Sequence, residues 1–131
     1  MTIKYFEDLV IWQEARKLCQ TIYQITKIDD FSKDIRFCSQ IKAAAGSIMD
    51  NIAEGFEREG RKEFVQFLYV AKGSCGEVRS QLHRAADAGY INQDQYNSLI
   101  LQTRNLNVTI NNFIKYLRQT EIEGQRYNSQ K

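Results

Sequence analysis

A chain of 131 residues, 43% of them hydrophobic, has the length of one domain with one core, and its lack of proline leaves long helices uninterrupted. The 18 basic and 16 acidic residues leave a formal charge of +2, too small to mark a nucleic-acid binder by total charge. Residues 1–60 carry 8 basic and 10 acidic side chains and residues 61–131 carry 10 and 6, so the second half is the basic one. Cys19, Cys38 and Cys75 are odd in number and far apart, which excludes a disulfide framework or zinc knuckle and fits small buried hydrophobes in a reducing compartment. The N-terminus has no basic stretch followed by an apolar core, and no window approaches about 18 uninterrupted apolar residues. A cytoplasmic protein that neither spans nor binds a membrane is expected.

Four helices follow in chain order. The first is expected from about Asp8 to Lys27, with Leu9, Trp12, Ala15, Cys19, Ile22 and Thr26 on one stripe. Glu7 and Asp8 suit its positive N-terminal end. Asp29 to Ser32 reads as a break, with Ser32 as N-cap of a second helix from about Lys33 to Arg58. That helix turns Cys38, Ile41, Ala45, Ile48 and Ile52 inward, and its run of small residues from Ala43 to Ser47 suits a close neighbour. Gly60 marks the corner, with Glu63 in the place of a capping-box glutamate whose partner has no hydroxyl. The third helix presents Phe64, Phe67, Leu68, Ala71, Cys75, Val78 and Leu82, and Gly89 is a natural left-handed stop. Gly73 and Gly76 inside it cost about 1 to 2 kcal/mol together relative to alanine, and close helix packing is the reason expected. Asn92 caps the fourth helix, whose stripe is Tyr96, Leu99, Thr103, Leu106, Ile110, Phe113 and Leu117. After Thr120 the apolar rhythm lapses, so residues 1–120 form the bundle and residues 121–131 a flexible tail.

Helices of roughly 20 to 28 residues, about 30 to 40 Å long and joined by short connections, fold as an all-α antiparallel up-down-up-down four-helix bundle. A second apolar set lies beside the main stripes: Val10, Ile11 and Tyr23, then Tyr69 and Val70, then Ile100 and Ile114. Four helices do not easily enclose both sets, so some of these residues are expected to face another copy in a homo-oligomer.

The centre of the chain resembles a known family, the bacterial four-helix-bundle proteins encoded in intervening sequences of large-subunit ribosomal RNA genes. The matching residues are Ser47-Ile48, Asn51-Ile52-Ala53-Glu54-Gly55, Arg58, Glu63-Phe64, Phe67-Leu68, Ala71, Gly73-Ser74 and Glu77. The match extends to Phe6-Glu7-Asp8-Leu9, Trp12 and Ala15, and to Gln81-Leu82 and Ala88-Gly89-Tyr90, covering most of the chain up to about residue 118. The resemblance implies a homopentameric helical bundle. A more distant likeness, to the accessory variability protein of diversity-generating retroelements, implies binding to nucleic acid and to a reverse transcriptase. Ala43 departs from the pattern, because the family often pairs the basic residue at Lys42 with a second one there.

No residue set supports catalysis. Asn51, Glu54 and Arg58 lie one turn apart on one flank and, with Glu77 on the facing helix, are expected to form a polar cluster that fixes helix register. His83 is the single histidine and lacks the Glu-x-x-His pairs of a di-metal bundle, so no metal, cofactor or enzymatic activity is expected. The candidate nucleic-acid contacts are Lys42, Arg58, Arg61, Lys62, Lys72 and Arg79, with Arg84, Arg104, Lys115 and Arg118 as further basic positions. A modest patch repeated around a ring becomes one large positive surface for structured RNA or DNA. The alternative is a scaffold that presents its faces to another protein and has no direct role with nucleic acid.

Overall fold

The computed structural model describes residues 3–129, with side chains described through residue 120. A 3-10 turn, Phe6–Asp8, leads into α1 (Val10–Ile25), a short α2 (Asp29–Lys33), α3 (Ile35–Glu57), α4 (Arg61–Asp87) and α5 (Gln93–Ser129). No strand occurs among the described residues. The expected tail, residues 121–131, falls where side chains, and at 130–131 the backbone, lie outside the described residues.

Cross-helix pairs set the topology. Cys38 and Lys42 reach Thr26 and Tyr23, Ser47 and Gly55 meet Ser74 and Phe67, and Arg118, Asn111 and Tyr96 meet Tyr69, Lys72 and His83, each partner series running opposite to the other. Each sequential long pair is therefore antiparallel. α1 packs on α3, α3 on α4, α4 on α5, and α5 closes the square against α1.

The core is wider than a single stripe per helix. Ile41, Ala45, Ile48 and Ile52 of α3 are fully buried, as are Leu68, Ala71, Val78 and Leu82 of α4. On α1 the buried ridge is Ile11, Ala15, Leu18, Ile22 and Ile25, while Trp12 and Cys19 sit at its half-buried border. Ile100 and Ile114 of α5 are buried as well. Ile11, Ile100 and Ile114 thus leave the set expected to face outward, because a core-facing stripe about 100° wide takes two adjacent ridges. Val10, Tyr23, Tyr69 and Val70 remain exposed.

The break after α1 forms its own helical turn. Phe31 in α2 is fully buried and stacks on Phe37 and Tyr90, at 5.5 and 5.1 Å between ring centroids. Ser32 is spent inside that turn, donating to the Asp29 carbonyl, and Asp34 takes the capping role expected of Ser32. Its Oδ1 accepts from the Phe37 N–H at 3.1 Å and its Oδ2 from the Tyr90 hydroxyl at 2.7 Å. Asn92 caps α5 as expected, exchanging hydrogen bonds with Gln95 in a reciprocal box, and Gly89 takes the left-handed conformation at φ 77°.

Glycine separates into two kinds. A Cβ at Gly55 would lie 2.6 Å from Phe67 Cβ and 3.0 Å from Phe64 Cδ1, so α3 and α4 close against bare backbone there. At Gly46, Gly73 and Gly76 a Cβ would meet no atom within 4 Å, so close packing inside the subunit does not explain the glycines of α4.

Two outcomes follow from these contacts. Gly55→Ala is expected to lower stability by about 1–2 kcal/mol, overpacking outweighing the gain in helix propensity, whereas Gly76→Ala raises it by up to ~1 kcal/mol. Urea midpoints should move in opposite directions. The Tyr90 bond, then the Phe37 N–H, holds the Asp34 carboxyl below its ordinary range, and the same bond pushes the Tyr90 phenol up. The Asp34 contribution is complete above the unfolded pKa of about 3.9 and is lost as pH falls through the folded value. That of Tyr90 is complete below about 10 and is lost as pH rises through its folded value. Tyr90→Phe should flatten both limbs of a stability-against-pH curve, and unaltered limbs would refute the coupling.

Candidate nucleic-acid interface

Between Asp94 and Glu121, α5 contains no acidic residue while carrying Arg104, Lys115 and Arg118. On α4, Tyr69, Lys72, Gly76, Arg79 and His83 recur at three- and four-residue steps and so share one edge of the helix. Four contacts lay that edge along α5. Arg118 Nη1 donates to Tyr69 Oη at 2.7 Å, with its guanidinium 5.9 Å from the ring centroid. Lys72 Nζ donates to Asn111 Oδ1 at 3.3 Å, and His83 Nδ1 and Tyr96 Oη share a hydrogen at 2.9 Å. Beneath them Cys75 Sγ donates to the Thr103 carbonyl at 3.3 Å, and burial pushes this thiol up to about 11.

Side by side, α4 and α5 leave between them the shallow groove of any packed helix pair, bridged by these contacts. Arg104 lies seven residues before Asn111, which places it on the stripe that carries Asn111 and Arg118. From Tyr69 to His83 the groove runs about 21 Å at 1.5 Å per residue, the axial rise of roughly six nucleotide steps at 3.4 Å each. Its edges offer guanidinium, ammonium and amide donors with a tyrosine. No carboxylate interrupts them, because Glu77 lies on the other side of α4, in a groove with Gln40, Ala44 and Ser47.

The expected basic residues divide over the surface. Lys72 and Arg79 stand in this groove, and Lys62, seven residues before Tyr69, continues its line toward the corner. Lys42 lies elsewhere, its Nζ 5.3 Å from the Tyr23 ring centroid on the α1 side of α3. Arg58 pairs with Glu54 at 3.1 Å and lies over Phe67. Arg61 lines a cavity of about 350 Å³ at the corner with Lys4, Phe56, Glu59, Phe64 and Tyr116. Sequence reasoning names Arg104 and Arg118 only as further basic positions. The signal that singles them out is the acid-free run of α5 set against the Lys72 edge of α4.

The polar cluster expected from Asn51, Glu54, Arg58 and Glu77 is divided into three sets. Glu54 and Arg58 pair with each other, and Glu77 accepts from Gln81 at 3.5 Å. Asn51 Nδ2 turns back one helical turn, donating to the Ser47 carbonyl at 2.7 Å and to Ser47 Oγ at 2.9 Å. Ser47 Oγ in turn lies 3.0 Å from Ser74 Oγ. The serine pair occupies the space between the helices that a four-residue cluster would need. Among the described residues no three His, Cys, Asp or Glu side chains gather as a metal site, and no helix is long and apolar enough to cross a membrane.

These features define a compact antiparallel helical bundle with a one-sided basic groove. The chain belongs to the 23S rRNA-intervening sequence protein family, whose profile matches residues 7–112. A crystal structure of a protein of unknown function from the S23 ribosomal protein family of Bacteroides thetaiotaomicron is similar in fold, with a TM-score of 0.75 at 22% identity. The alignment covers 81% of this chain and 96% of that one. No curated protein matches the sequence.

Proposed function

We propose that the protein is a non-enzymatic homo-oligomer that binds RNA or DNA through the groove between α4 and α5. The observation that carries the proposal is the alignment of Lys72, Arg79, Arg104 and Arg118 along edges without a carboxylate. Phosphate contacts supply most sequence-independent affinity, and Tyr69 adds a face for cation or base stacking. A single groove is a modest binder. Copies arranged around one assembly act together on one polyanion, which raises avidity without any new contact. Exposed Val10, Tyr23, Val70, Leu101 and Val108 support self-association, and the sequence resemblance to a pentameric family supports a ring.

The alternative reading, a protein-interaction scaffold, draws on exposed Ile28 and Ile35 near one end of the bundle. A pull-down with and without nuclease separates the two readings, since a scaffold keeps its partner after digestion.

The direct test is titration of structured RNA at two salt concentrations. Lys72→Ala, Arg104→Ala and Arg118→Ala should each weaken binding and reduce the salt slope by about 0.7 to 0.9 for each phosphate no longer neutralised. Lys42→Ala and Arg58→Ala should leave both unchanged. Binding that ignores salt, or no binding at low salt, discards the proposal.

A further inference from the structure

On the side of α4 turned toward α3, one buried polar atom has no partner. Gln81 is 5% exposed, and its Oε1 is buried without a hydrogen bond. Its Nε2 does donate, to Glu77 Oε1 at 3.5 Å, a length at which the bond is weak. Few buried side-chain oxygens in native proteins are left this way, so the atom calls for an explanation. Arg84, one turn on, does not supply the missing donor, because its guanidinium is held 4.6 Å from the ring centroid of Phe37.

Glu77, Gln81 and Arg84 line the α4 wall of a groove of about 450 Å³, a volume that suits a small ligand. The α3 wall contributes the methyls of Ala43 and Ala44 and the amide of Gln40. Small side chains there set a low apolar surface beside a row of hydrogen-bonding groups. The row has an order. Along α4 come a carboxylate, a carbonyl oxygen about 6 Å further on and a guanidinium about 4.5 Å beyond that, at 1.5 Å per residue. Two acceptors are thus followed by a donor.

We infer that this groove is a site for a guanine base. A matching ligand carries two neighbouring N–H donors and then acceptors along one planar edge. Guanine does so: its ring N–H and exocyclic amino group meet Glu77 and Gln81, and O6 with N7 meets Arg84, the pairing that arginine favours with this base. Adenine and cytosine set a ring acceptor against the carboxylate and are repelled, and uracil offers a single ring N–H. An arginine side chain from another protein suits the acceptors but is opposed by Arg84. The torsion that ends a glutamine side chain is broad, so Oε1 turns toward a ligand N–H at little cost.

A free guanine nucleotide and an unpaired guanine in RNA carry the same chemistry, and unpaired bases are where RNA sequence is mostly read. The groove lies across α4 from the Lys72 edge, and its assignment does not depend on the function proposed for that edge.

Equilibrium dialysis of the intact protein against guanosine or adenosine monophosphate is one arm of the test, and titration of RNA hairpins that differ only in a loop guanine or adenine is the other. The guanine ligand should bind about tenfold or more tightly than its adenine counterpart. Glu77→Gln, which trades an acceptor oxygen for an amide donor, should erase that preference. Gln81→Leu should weaken guanine binding while raising the thermal midpoint, because the unsatisfied oxygen is gone, and the higher midpoint separates loss of the site from loss of the fold. Lys72→Ala should leave the nucleotide arm unchanged. Preference for guanosine monophosphate supports a nucleotide site, and preference confined to the hairpins supports an RNA base. No guanine preference in either arm, or retention of an arginine-rich peptide in place of guanine, overturns the inference. RNA binding that fails to respond to Lys72→Ala, with guanine preference intact, counts against the α4–α5 reading and leaves this one standing.

Discussion

The antiparallel contact between α3 and α4 organises the molecule, and it is fixed at two heights. Near the corner, Gly55 lets the backbone of α3 come against Phe64 and Phe67, closer than any side chain would permit. About two turns further along, the hydroxyls of Ser47 and Ser74 meet, with Asn51 bonded to the same serine. Between them these contacts specify both separation and register, which hydrophobic burial alone leaves loosely determined. α1 and α5 then complete the square around an aliphatic interior.

Charge follows from this arrangement rather than from the total. Glu54 is taken up by Arg58, and Glu77 lies on the α3 side of α4, so both carboxylates stand away from the α4–α5 groove. A chain of formal charge +2 thereby has one face where donors gather apart from these carboxylates. Segregation of this kind costs little in stability, since surface charges contribute little individually, yet it decides what the surface meets.

The bundle, its four long helices, the Gly89 stop and the Asn92 cap are legible in sequence because each rests on local periodicity or a local hydrogen bond. Helix rotation is less so. Trp12 and Cys19 obey the same three-four rhythm as Ile11 and Leu18, and only the position of α3 and α5 decides which pair goes inside. The cap at Asp34 is hidden for a similar reason: burying Phe31 against Tyr90 needs a partner 59 residues away, and it draws the preceding turn into a helix that consumes Ser32. The divided polar cluster shows the same limit, because spacing along α3 and α4 states who could be neighbours but not that serine hydroxyls hold the space between. The acid-free run of α5 is present in the sequence, and its meaning depends on which edge of α4 lies beside it.

The two ends of the bundle are built differently. At one end the Asp34–Tyr90 bond, the stacked Phe31 and the reciprocal box of Asn92 and Gln95 tie the α2 segment and the α4–α5 connection into a single clasp. At the other, Glu59 is held at φ 65°, α4 begins at Gly60 without a side-chain cap, and a cavity opens beside Phe64 and Tyr116. Thermal opening therefore has a preferred direction. Amide hydrogens at the corner are expected to exchange with solvent sooner than those near the clasp, as tongs part at the end away from the hinge.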